Sequence, residues 1–167
     1  LKVVGAFLGL SYARSYARRF PAIDPLESWS KYRGTIDPAR VASAHSFLKR
    51  GKSVSEMMQV VGEEGTSNAD FVVYLKSELL DAVYLQQNSF DEVDAACSTD
   101  RQERLFRLVG LVLEREFAFT GKDQARDLFI TLEEQLRNWN YAPEGSPAMA
   151  AAEARIGEFL AAAGVAP

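Results

Sequence analysis

The sequence predicts a mainly α-helical fold, with about six helices joined by short links into a bundle-like domain behind a short N-terminal strand and an extended connector. Two observations predict it. Beyond residue 37, apolar residues recur at the spacing that places them on one face of a helix. Capping residues, prolines and glycines punctuate those stretches where helices start and stop. Only Leu1 to Leu10, an apolar run broken by Gly5 and Gly9, suits a strand better than a helix.

Composition supports a folded domain and narrows its partners. A chain of 167 residues buries roughly 70% of its unfolded surface, enough for a core without disulfides or metals. Its 47% hydrophobic content, with 10 Phe and 6 Tyr, excludes disorder. A formal charge of −4 gives no global basic field, so neither nucleic acid nor an anionic membrane surface is expected as a partner. Arg14, Arg18 and Arg19 form the only basic cluster of note. One cysteine, Cys97, excludes an internal disulfide and fits a reducing, cytoplasmic setting, and one histidine, His45, removes the commonest metal ligand set. No apolar run is long enough to span a membrane. The start Leu1-Lys2-Val3-Val4 has neither an initiator Met nor a signal-peptide layout, and reads as a boundary inside a longer chain.

The strand is followed by a connector over residues 11–36, where Pro21 and Pro25 enforce extended or turn geometry ahead of Trp29 and Tyr32. The helical domain begins at residue 37 and takes up the rest of the chain, 37–167. Asp37-Pro38 supplies an N-cap with proline at the first helical position, Val41, Ala44, Phe47 and Leu48 follow helical spacing, and Gly51 sits where a C′ glycine belongs. Ser53 to Glu56 reads as a capping box opening a second, short helix that Gly62 ends. After the polar link Glu63 to Asp70, the stripe Phe71, Leu75, Leu79, Val83 and Tyr84 predicts a long helix running out near Asn88. From Ser98, Leu105, Leu108, Val112 and Phe117 predict a fourth helix stopped by Gly121. Ala125 to Leu136 carry a fifth, ending before Pro143, and Ser146-Pro147 opens an alanine-rich sixth that stops at Gly164.

Few residues suggest chemistry. Gly51-Lys52-Ser53 matches the end of a phosphate loop, but that loop needs a glycine at position 46, which is Ser46, and a preceding strand. A helix cap is the better reading. Cys97 has no nearby base, so a structural thiol is expected. Glu63, Glu64 and Asp70 lack the ligand spacing of a calcium loop and by composition read as a solvated turn. No catalytic residue and no metal site is assigned. Leu85-Gln86-Gln87-Asn88-Ser89-Phe90 is different, because three amides run directly into an aromatic where the surface elsewhere carries Lys and Glu. Amides can hydrogen-bond a base edge and a phenyl ring can stack on it.

Three blocks carry a resemblance. Arg18-Arg19-Phe20-Pro21-Ala22-Ile23 with Ser28-Trp29-Ser30-Lys31-Tyr32, then Val60-Val61-Gly62, then Leu85 to Asp94 stand in the order found in the C-terminal domain of the catalytic A subunit of V-type and archaeal-type rotary ATPases, which the chain resembles. Beyond residue 98 only the helical pattern agrees. The chain departs from that family at Ala17-Arg18-Arg19, where Arg-Arg-His is common, at Asp24-Pro25, where Asn-Trp is usual, and at Ser89, where Ala is. These departures suggest a divergent bacterial branch.

The resemblance implies an ion-transporting ATPase subunit whose preceding nucleotide-binding domain holds ATP or ADP with Mg, with no cofactor expected on the present segment alone. It implies that Gln87, Ser89 and Phe90 contribute to an adenine pocket. By analogy with the related F-type beta subunit, it also implies that the Glu63, Glu64 and Asp70 turn faces the central stalk. B subunits alternating with A in a ring are the other implied partners. The setting is a cytoplasmic, peripheral membrane complex with no direct membrane insertion by this chain. Two other readings stay open on the residues alone: a freestanding adaptor that binds a peptide through its amide segment, and a helix-turn-helix regulator. The regulator needs basic side chains on its recognition helix, and the helix after the Glu63 turn carries only Lys76.

Overall fold

The computed structural model describes residues 4–32 and 34–162. The predicted strand contracts to β1 (Ala6–Phe7), and it finds its partner inside the connector: β2 (Trp29–Ser30) pairs with it antiparallel, Ala6 opposite Ser30 and Phe7 opposite Trp29. Leu1 to Val3 of the expected strand lie outside the described residues. Between the two strands stands a short helix, α1 (Tyr12–Tyr16), whose N-cap Ser11 accepts from the Arg14 amide. None of its residues is buried.

Helix α2 (Pro38–Val61) starts as predicted, with the Asp37 carboxylate accepting from the Ala39 and Arg40 amides. It then runs through Gly51 without a break, so the two helices expected here are one of 24 residues. Gly51 is a crossing point rather than a cap. A Cβ placed there would lie 2.1 Å from Ser77 Cβ on the next helix, a separation no side chain tolerates. The presumed capping box is likewise absent, since Ser53 Oγ donates back to the Lys49 carbonyl within the continuing helix. Gly62, at φ 77°, ends α2 as expected.

Helix α3 (Asn68–Leu80) is capped by Ser67, which accepts from the Asp70 amide, and continues as a single π-helical turn over Asp81–Leu85. The chain leaves that turn extended at Gln86, two residues before the expected end. Helix α4 (Thr99–Glu114) is capped by Ser98 and stops well short of Gly121. The physical reason is Lys76: its ammonium, buried in α3, donates to the carbonyls of Leu113 (2.7 Å) and Arg115 (2.6 Å), taking over the helix's terminal acceptors. Phe117 then stacks on Phe119 and meets the edge of Phe129 instead of continuing the helical stripe. Helices α5 (Lys122–Tyr141) and α6 (Pro147–Ala162) complete the domain. The expected stop at Gly164 lies outside the described residues.

The core sits where α3, α4, α5 and α6 converge, around Leu79, Val109, Val112, Leu132, Leu136, Trp139, Met149 and Ile156. Arg101, buried at the start of α4, lies 4.6 Å over the Trp139 ring and donates to the Trp139 and Asn140 carbonyls, both at 2.8 Å. One helix start thereby closes another helix's end. Among the described residues, no helix is long and apolar enough to cross a membrane.

Candidate nucleotide-binding corner

The foot of α3 is shaped by its last turn. In the π-helical turn the Gln86 amide reaches the Asp81 carbonyl (2.9 Å), and the Val83 carbonyl is taken by Asn140 Nδ2 of α5 (2.8 Å). The segment that follows is a loop bonded to itself. Asp94 Oδ2 accepts from the Asn88 amide (2.6 Å), Asn88 Oδ1 accepts from the Phe90 amide (3.1 Å), and Asp91 Oδ1 accepts from the Val93 and Asp94 amides. Burial pushes the Asp94 carboxyl above its usual range, against the opposing pull of the Asn88 amide.

The three amides do not act alike. Gln86 Oε1 accepts from Arg19 Nη1 at 2.6 Å, and Asn88 is committed to the loop. Gln87 is half-buried; its backbone amide donates to the Phe20 carbonyl (2.7 Å) and its side chain reaches the Asp94 carbonyl only at 3.4 Å. Ser89 is exposed, and Phe90 is 98% exposed on a loop held by its own hydrogen bonds. Phe20, half exposed in the connector, where its carbonyl accepts from the Gln87 amide, is a second aromatic at this corner. Below them a cleft of about 270 Å³ is lined by Pro21, Tyr84, Gln86, Gln87 and Cys97. Cys97 is half-buried and burial raises its thiol pKa, which makes it a poor nucleophile, as its sequence context suggested.

At the other end of α3 the acids are largely occupied. Glu63 forms a two-pronged ion pair with Arg126 (2.6 and 2.8 Å), and its carbonyl accepts from Lys122. Asp70 accepts from the Ser67 hydroxyl at 2.7 Å. Glu64 remains exposed, beside Val60 and Val61 at the exposed end of α2. Among the described residues no group of acids, cysteines or histidine is placed to hold a metal ion.

Residues 38–122 match the family model described as the C-terminal domain of V and A type ATP synthase. The chain belongs to this family. It is 52% identical over 160 residues to the V-type ATP synthase alpha chain of Borreliella burgdorferi strain ZS7, covering 96% of this chain and 28% of that protein. The V-type ATP synthase alpha chain of Treponema denticola is 52% identical over 161 residues, 96% of this chain and 27% of its own length. That of Borrelia garinii subsp. bavariensis is 57% identical over 140 residues, 84% of this chain and 24% of its own. The chain therefore spans little more than a quarter of the curated relatives it matches. The likeness extends through α5 and α6, where no sequence block had carried a resemblance.

The arginines are what sequence reasoning missed. Their cluster was visible, but the acceptor, Asp81, sits 67 positions away inside an ordinary amphipathic stripe. Nothing local marks that pairing.

Proposed function

We propose that this chain works as the C-terminal helical domain of the nucleotide-hydrolysing subunit of a rotary ATPase, and that Gln87, Ser89 and Phe90 form one wall of an adenine slot. The rest of the slot and the ATP or ADP with Mg belong to a preceding nucleotide-binding domain of the intact subunit. The observation that carries this reading is Phe90: a phenyl ring 98% exposed, on a loop braced by six internal hydrogen bonds. Such a ring is preorganised to stack on a planar, apolar face. Phe20 stands on the adjoining stretch of the connector as a second aromatic for the same base.

The helical block then acts as a lever. Occupancy of the nucleotide site favours one orientation of the block over another, and a packed core transmits that displacement without deforming. The turn between α2 and α3 is the end that meets the central stalk, and B subunits flank this domain in a ring bound peripherally to the membrane on its cytoplasmic side. With Glu63 and Asp70 paired internally, Glu64, Val60 and Val61 are the side chains of that turn free to touch a partner.

Phe90→Ala in the intact subunit tests the slot. Base–aromatic stacking is worth about 1–3 kcal/mol, so ATP should bind about 5-fold to 150-fold more weakly, with thermal unfolding unchanged. Unaltered affinity would refute the assignment.

A further inference from the structure

A set of polar contacts joins the connector to the foot of α3. Helix α1 buries none of its residues, and between the connector and the α2–α3 pair lies an open cleft of about 410 Å³ over Leu48, Gly51, Ser55 and Ser77. Where an apolar seam would normally fix two segments, there is a gap. What bridges it is a set of bonds centred on one carboxylate. Asp81 pairs with Arg14 through Oδ1 and stands 3.6 Å from Arg19 Nε through Oδ2. Arg19 extends the set to Gln86 Oε1 at 2.6 Å and to Glu78 at 3.9 Å. The Gln87 amide, donating to the Phe20 carbonyl, closes it at 2.7 Å.

Asp81 is joined to the corner twice. Its side chain holds the arginines of the connector, and its main-chain carbonyl accepts from the Gln86 amide, the bond that ends the π-helical turn and directs the chain toward Phe90. Both carboxylate oxygens face guanidinium groups in a partly buried setting, with side-chain exposures of 15% for Asp81, 13% for Arg14 and 26% for Arg19. Neutralising the carboxylate leaves two like charges facing each other with their shared acceptor weakened.

We propose that Asp81, gripped by Arg14 and Arg19, is a positioning residue: it sets the Phe20 stretch of the connector against the Gln86–Phe90 segment and so fixes the geometry in which a purine base is held. The inference rests on the adenine-slot reading and goes beyond it by assigning the alignment of the slot to a charged latch outside it. A base sandwiched by groups from two segments is sensitive to small offsets between them, because stacking and edge hydrogen bonds are both directional.

The test is base selectivity in the intact subunit, measured as ATP and GTP affinities. Asp81→Asn should weaken ATP binding about tenfold, the worth of one charge-assisted hydrogen bond, and should shrink the ATP-over-GTP preference. In the Asp81→Asn background, Phe90→Ala should cost less than it does alone, since the ring is already misplaced. If the Asn variant folds poorly, Arg19→Met removes the contacts to Asp81, Glu78 and Gln86 at a more exposed residue while leaving the Arg14–Asp81 pair, and should give a smaller loss of preference in the same direction. Glu153→Gln serves as the control: it breaks the Arg104–Glu153 ion pair between α4 and α6, and should lower thermal stability while leaving selectivity unchanged. An ATP affinity and preference within about twofold of the parent in the Asp81 and Arg19 variants, with Phe90→Ala still damaging, would overturn the latch and leave the slot standing. No effect of Phe90→Ala would overturn both.

Discussion

The connector and the helical block are held by different physics. In the block, Leu132, Leu136, Trp139 and Val109 are fully buried, and its buried polar groups are used to close helix ends: Lys76 for α4 and Arg101 for α5. In the N-terminal strand segment and the connector, Leu8, Leu10, Tyr12 and Tyr16 face outward, and order comes from a two-residue strand pair, a one-turn helix and the arginine contacts to Asp81. On the proposed function, the block is the part that moves as a rigid body. The connector keeps its apolar surface free, as a segment does when its packing partner is another part of a larger protein.

Gly51→Val gives the sharpest challenge to this contrast. It forces a branched side chain into the α2–α3 crossing, where even a Cβ meets Ser77 at 2.1 Å, and should destabilise the block by about 3 kcal/mol or abolish folding. Urea unfolding of this chain reports the loss; a midpoint close to that of the parent means the helices do not cross as described. Lys76→Met comes next. It keeps the volume but orphans the Leu113 and Arg115 carbonyls, which should cost about 2 kcal/mol at neutral pH. The cost also depends on pH. Burial, reinforced by Arg50, pushes the Lys76 ammonium down to about 8 in the folded chain, whereas the unfolded chain holds that proton up to its ordinary pKa of 10.5. Folding therefore releases a proton between those values, so the parent should gain stability over Lys76→Met as pH rises through that window. Paired urea titrations at pH 7.5 and 9.5 read this, and a constant difference would count against a buried ammonium. The smallest effect belongs to the connector. Tyr12→Ser removes an 84% exposed ring that stacks on the exposed Tyr16 and should shift unfolding by less than about 0.5 kcal/mol. A shift of a full kcal/mol or more would mean the connector is packed and the contrast is wrong.

Legibility in the sequence followed the range of the interaction. Asp37-Pro38 caps the helix it was expected to cap, and α4 begins at Ser98 as expected, because a helix start is settled within three or four residues of chain. The segment from Leu85 to Asp94 stood out for a similar reason: its Asx-type bonds and its exposed ring are local features. Gly51 misled, because glycine serves equally as a stop and as a point of close approach, and only the partner helix distinguishes the two uses. Phe117 misled because a stripe of the right spacing still ends where another helix's lysine takes its carbonyls. The acids of the Glu63 turn looked uniformly solvated, yet Arg126 and Lys122 of α5 claim Glu63 from 59 or more positions away.

By itself, the sequence determined that this chain is mainly helical, where its well-capped helices begin, and which family it belongs to, since periodicity, caps and short motifs are written in neighbouring residues. Tertiary structure alone decided that α2 is continuous, that α4 ends early, and that Arg14 and Arg19 meet Asp81. Those outcomes depend on which surfaces come within contact distance after the chain has turned back on itself, and local spacing carries no record of that.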